Sequence, residues 1–83
     1  MKISDWHDRF KLQSSWTRDL RNFIFGKVDA QPGQSLLDVG VGTGALLDEY
    51  IGRGLQVTGL DLDLENCQFA HLHPSKPVIF NAD

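Results

Sequence analysis

The segment Asp38-Val39-Gly40-Val41-Gly42-Thr43-Gly44 limits the possible folds of this chain more than any other stretch. Glycine at every second position is costly inside a helix or a strand, so the segment reads as a turn. It closes Ser35-Leu36-Leu37-Asp38-Val39, a short apolar run of the kind that forms a buried parallel strand. It opens residues 43–52, where Leu46, Leu47, Tyr50 and Ile51 fall on one helical face. Strand, glycine turn and helix follow in that order. Glycines let the backbone turn sharply and let a ligand approach where a side chain would collide. The helix after them is expected to add free amides and the positive end of its dipole, a seat for an anionic ligand group.

The pattern repeats downstream. Gly52 and Gly54 offer a helix stop, with Gly54 suited to a left-handed cap. Leu55-Gln56-Val57-Thr58-Gly59-Leu60 reads as a second strand, and Asp63 as the N-cap of another helix, with Leu62 placed to staple onto Cys67. That helix fades near His71-Leu72-His73-Pro74, and Pro77-Val78-Ile79-Phe80 reads as a third strand before Asn81-Ala82-Asp83. Strands alternating with helices imply right-handed crossovers and a parallel sheet. The expected fold is α/β: part of a Rossmann-like, doubly wound sheet in strand order 3-2-1, preceded by N-terminal helices.

Residues 1–30 form the helical segment and residues 31–83 the α/β domain. In the front part Trp6 and Phe10 share a face, and Trp16, Leu20, Phe23, Ile24 and Val28 continue an apolar stripe. Both tryptophans are expected in the core, and Ser14 or Ser15 is a candidate cap for a second helix. The run Asp29-Ala30-Gln31-Pro32-Gly33-Gln34 ends the segment.

Charge is unevenly placed. Residues 1–30 carry six basic groups against four acids, and residues 31–83 two against seven. An acidic half does not attract a polyphosphate backbone, which argues against nucleic acid as a partner. The basic front is expected to be a solvated helix face. No apolar stretch approaches the roughly 18 residues of a membrane span, and no signal peptide opens the chain. Lone Cys67 has no partner for an internal disulfide, in keeping with a reducing cytoplasm, and reads as a small core residue. His71 and His73 stand two apart, a poor spacing for a metal, and no metal site is expected.

The acids at the strand ends carry the functional reading. Asp61 closes the second strand, 21 residues after Gly40, and neighbouring parallel strands end at one sheet edge. A carboxylate there can accept hydrogen bonds from both hydroxyls of a ribose. Leu62 would lie against a purine face, and Asp83, at the end of the third strand, can accept from an adenine amino group.

Together these motifs resemble those of class I S-adenosylmethionine-dependent methyltransferases. Leu36-Leu37-Asp38-Val39-Gly40-Val41-Gly42-Thr43-Gly44 resembles their glycine loop, Thr58-Gly59-Leu60-Asp61-Leu62-Asp63 their second motif, and Phe80-Asn81-Ala82-Asp83 the start of their third. The stretch around Trp16-Thr17-Arg18 is similar to the cover helix of small-molecule members. The resemblance implies S-adenosyl-L-methionine or S-adenosyl-L-homocysteine as cofactor. By it, Asp38 and the loop backbone, Gly44 included, face the methionine part, Gly40 and Gly42 line the cofactor, Asp61 holds the ribose, and Leu62 and Asp83 meet adenine. Members run on through further strands that hold the methyl acceptor. The expectation is therefore a cofactor-binding half with no catalytic residue of its own, inactive in transfer when alone, from a parent acting on a small molecule.

Two other readings compete. Gly40-Val41-Gly42-Thr43-Gly44-Ala45 also satisfies the looser dinucleotide pattern of NAD(P)-binding domains. Against it, Asp38 would set a negative charge beside a pyrophosphate, whereas the ammonium of a methionine moiety would welcome it. The second is a non-catalytic, self-associating sheet module. An open first strand is a template for another copy, by edge pairing or by swapping the front helices.

Overall fold

The chain opens with two helices, α1 (Ile3–Ser15) and α2 (Arg18–Lys27), followed by strand β1 (Ser35–Val39). Then come α3 (Leu47–Gly52), β2 (Gln56–Asp61), α4 (Leu64–His71) and β3 (Val78–Asn81). The computed structural model describes every residue from Met1 to Asp83. β2 lies in the middle of a three-stranded sheet, with β1 and β3 parallel to it on either side. Leu36 stands beside Val57, Asp38 beside Gly59, and Leu60 beside Phe80.

Both crossovers pack on one face of this sheet. Leu47 and Tyr50 of α3 and Ala70 of α4 close a core with Val41, Leu55 and Val57, with Leu36 and Ile79 packed against it. Alternation along the strands sends Leu37, Val39, Val78 and Phe80 to the other face, and all four are exposed. α3 ends in a Schellman motif: Gly54 N donates to Ile51 O at 2.8 Å and Leu55 N to Tyr50 O at 3.2 Å. Gly54 carries the φ of +79° that this cap needs.

Several expectations are corrected. The helix after the glycine loop starts at Leu47 rather than near Thr43 and is six residues long. The cause is Gly44, held at φ +85° with a Cβ position only 2.5 Å from Leu47 Cδ1, so the loop extends to Leu46 before the helix forms. A helix this short is no seat for an anion. Asp63 does cap α4, accepting from Asn66 N at 3.1 Å. Leu62, in contrast, is exposed and forms no staple on buried Cys67.

The front is two helices broken at Trp16–Thr17, and neither Ser14 nor Ser15 caps the second. Each serine turns its hydroxyl back to a carbonyl three residues earlier, Ser14 to Lys11 O and Ser15 to Leu12 O. Neither helix buries a residue, and Trp6 and Trp16 are both exposed rather than in the core. The basic face is not simply solvated either. Arg21 makes a two-pronged pair with Glu49 of α3, Nε to Oε2 at 2.6 Å and Nη2 to Oε1 at 2.9 Å. Polar contacts, more than apolar burial, dock the front of the chain.

Candidate functional site

The glycine loop leaves β1 by following its neighbour. Gly40 N and Val41 N both donate to Leu60 O, at 2.8 and 3.0 Å. Val41 then settles onto Gly59, where a Cβ would come within 2.9 Å of the Val41 side chain. Gly59 is thus the gap in the sheet that lets the loop turn back. Its far side is tied by Asp61, whose Oδ2 accepts from Gly42 N at 2.9 Å and whose Oδ1 accepts from Asp63 N at 2.9 Å. Asn81 braces the same corner, donating to Asp61 O at 3.1 Å and Leu62 O at 2.9 Å.

Two cavities meet at Gly40. One, about 410 Å³, is lined by Val39, Gly40, Leu60, Asp61, Leu62, Ala82 and Asp83. The other, about 470 Å³, lies between the α1–α2 junction (Phe10, Gln13, Ser14, Thr17, Arg21) and Asp38, Gly40, Gly42 and Thr43. Gly40 and Gly42 both have positive φ, and a Cβ on either would meet no protein atom. Their bareness is required by the backbone turn and leaves the space beside the loop open.

The electrostatics of this space are acidic. Burial, and secondly the charge of Asp61, push the Asp38 carboxyl above the usual carboxylate range. Tyr50 is raised too, by burial and then by Asp38. Arg21 reaches the cavity wall, but its guanidinium is committed to Glu49, Thr17 Oγ1 and Ser14 O. A ligand group placed against Asp38 therefore meets a carboxylate without a nearby free cation, which suits a positively charged group and opposes a phosphate.

His7 of α1 ties the helical front to the loop. Its Nδ1 lies 2.8 Å from Oγ1 of buried Thr43, and its ring packs on Phe69 at 4.9 Å between centroids. Burial, then Lys11, hold the His7 pKa below its usual value, favouring the neutral ring. Asp48 links Lys11 of α1, at 3.4 Å, to His73 beyond α4, at 2.6 Å.

Of the residues singled out from the sequence, Gly40, Asp61, Leu62 and Asp83 line one cavity, and Asp38, Gly40 and Gly42 the other. Gly44 lines neither; it packs between Leu47 and Ala70. Sequence reasoning missed Gly59, Asn81 and the His7–Thr43 tie. A glycine inside a strand was the available signal for the first; nothing local marks the other two. No group of three or more metal-ligating side chains gathers anywhere.

No protein-family model matches the chain. Among curated proteins it is 40% identical over 52 residues to the ubiquinone biosynthesis O-methyltransferase of Vibrio parahaemolyticus serotype O3:K6, 63% of this chain and 22% of that protein. It is 42% identical over 53 residues to the demethylmenaquinone methyltransferase of Renibacterium salmoninarum, 64% of this chain and 22% of that protein. The chain thus spans about a fifth of the length of the curated relatives it matches. Among solved structures, coclaurine N-methyltransferase bound to N-methylheliamine and SAH superposes with a TM-score of 0.62 at 22% identity, over 78% of this chain and 21% of that one. A TehB-like SAM-dependent methyltransferase from Corynebacterium glutamicum gives 0.59 at 21% identity, over 84% of this chain and 44% of that one. These structural likenesses establish a shared Rossmann-like fold. With the sequence matches beside them, the chain is similar to a segment of S-adenosylmethionine-dependent methyltransferases, consistent with the class I group.

Proposed function

We propose that this chain binds S-adenosylmethionine and its product S-adenosylhomocysteine, as the cofactor-holding portion of a small-molecule methyltransferase. The observation that carries the reading is the meeting of two cavities at Gly40, one bounded by Asp61, Leu62 and Asp83 and the other by Asp38. The residues fit such a group. Each Asp61 oxygen accepts one backbone amide, which leaves lone pairs for ribose hydroxyls. Leu62, exposed at the cavity rim, offers an apolar surface to a purine, and Asp83 an acceptor for its amino group. Asp38 faces the cationic methionine end. When bound, the cofactor supplies a methyl group made electrophilic by its positively charged sulfur.

In this reading residues 31–83 are the first part of a doubly wound α/β domain, and the helical segment 1–30 lies over the cofactor. No side chain of this chain is assigned a catalytic role. Transfer in such enzymes is chiefly a matter of holding two reactants in line, and the acceptor-holding groups are placed outside these cavities. The names of the curated relatives support a small-molecule acceptor. A cytoplasmic setting, in which Cys67 stays a thiol, completes the proposal; no helix is long and apolar enough to cross a membrane. Self-association, by pairing at the open β1 edge or by swapping the front helices, is its remaining element.

The test is a calorimetric titration of the chain with S-adenosylhomocysteine and, side by side, NAD. One S-adenosylhomocysteine site and far weaker NAD binding are the expected result. Tighter binding of NAD would replace this reading with the dinucleotide one.

A further inference from the structure

The helix α2 is turned inside out. Its sequence carries one apolar side and one charged side, and the charged side is the one that faces the protein. Arg21 holds Glu49 with two hydrogen bonds, Arg18 Nε lies 3.6 Å from the same carboxylate, and Asn22 accepts from Arg53. Phe25 packs on this inner side, edge-on to Tyr50. Held along that side, the helix cannot roll to bury its other one. Leu20, Phe23 and Ile24 therefore stand in solvent, between 48% and 61% exposed, and Trp16 and Val28, just beyond the two ends of the helix, are exposed as well. A contiguous apolar stripe of this kind marks an interaction surface.

The charges beside the stripe say what covers it. Lys27 lies over the Phe23 ring, its Nζ 5.5 Å from the centroid, and Asp19 is exposed in the first turn. Neither enters a salt bridge within the chain. They stand four residues on either side of Phe23. Two copies of α2 placed antiparallel about a two-fold axis at Phe23 bring each Lys27 opposite the other copy's Asp19. A parallel arrangement sets Lys27 against Lys27 and loses both pairs.

We propose that a second copy of this chain covers the stripe, through an antiparallel, two-fold pairing of α2 with α2. Such an interface is isologous and closed, so association stops at the dimer. It leaves both cavities at Gly40 free, and it stands independently of the cofactor reading.

The experiment is sedimentation velocity on the full chain with four proteins: the parent, Lys27→Asp, Asp19→Lys and the double exchange Asp19→Lys/Lys27→Asp. The parent is expected to dimerise at about 10–100 µM, a range usual for weak assembly. Each single reversal is expected to weaken dimerisation by about tenfold, and the double exchange to restore it to within about threefold, as coupled charge pairs do. Helical circular dichroism monitors folding in all four, and both charges are exposed, so the double exchange also separates a lost contact from a lost fold. Three outcomes overturn the proposal: a parent that stays monomeric throughout this range, single reversals that leave association untouched (pairing by the β1 edge), or a double exchange that fails to restore it. Titration with S-adenosylhomocysteine gives the same affinity in all four proteins if the cofactor reading holds, so the two ideas fail separately.

Discussion

The amide of Gly42 donates to Oδ2 of Asp61 at 2.9 Å, so the acid at the end of β2 holds the glycine loop shut before any ligand arrives. The same carboxylate accepts from Asp63 N, at the start of α4. Asp61 is both part of the cavity wall and the clasp that shapes it.

That double role sets the first prediction. Asp61→Ala removes the carboxylate that accepts from two backbone amides, along with the ribose contact. S-adenosylhomocysteine affinity is expected to fall by about 1–3 kcal/mol, the scale of hydrogen bonds to a charged group. Amide exchange at Gly42 is expected to speed up in the same variant. Unchanged affinity withdraws the ribose contact; unchanged exchange withdraws the clasp.

Asp38 should trade stability against binding. Its carboxyl is raised by burial and by Asp61, so the ionised form is the costly one in the folded protein. For a raised acid, stability is present below the ordinary carboxylate range and lost as pH rises through the elevated value. Asp38→Asn escapes that loss. The ligand-free variant is expected to melt a few degrees higher at neutral pH, about 4 °C per kcal/mol in a domain this small, with the gain disappearing in acid. Binding of S-adenosylhomocysteine is expected to weaken in the same protein. A variant no more stable at neutral pH would refute the electrostatic account of this position.

The Arg21–Glu49 pair gives a prediction with the opposite pH sense. Arg21, hydrogen-bonded to Glu49, holds that carboxyl below its usual range. The stabilisation is therefore present above the ordinary glutamate range and lost as pH falls through the lowered value. Glu49→Gln is expected to cost about 1–3 kcal/mol at neutral pH, and urea midpoints of parent and variant are expected to converge in acid, below the ordinary glutamate range. A constant gap across that range would show that packing, not the ion pair, docks α2.

At the end of α3, Gly54→Ala meets two obstacles: a φ of +79° and a Cβ position 2.8 Å from Pro32 Cβ. The cost is expected to be about 2 kcal/mol or more, since a left-handed residue alone loses roughly 1–2. A denaturant midpoint equal to that of the parent would mean the Schellman cap is dispensable.

The strands, the glycine turn, the Asp63 cap and the left-handed Gly54 were legible because each rests on a local signal: an apolar run, a capping side chain, a residue without Cβ. The placement of Asp61, Leu62 and Asp83 around one cavity followed from parallel pairing alone. What the sequence concealed depends on contacts distant along the chain. Trp16, at the head of the apolar stripe, was expected in the core, because periodicity locates an apolar side without saying which way it points. Arg21 and Glu49, 28 residues apart, decide the orientation instead. The late start of α3 was hidden for a similar reason: Gly44 packs against Leu47 and Ala70, and only the folded contact reveals that its turn must continue.

The claim that the rest depends on is that one ligand spans both cavities at Gly40. Amide chemical shifts of isotopically labelled chain, recorded while S-adenosylhomocysteine is added, test it most directly. Concerted movement at Asp38, Gly40, Gly42, Leu62 and Asp83, saturating with a single affinity, is the predicted result. Shifts confined to other surfaces, or none at millimolar ligand, would contradict it.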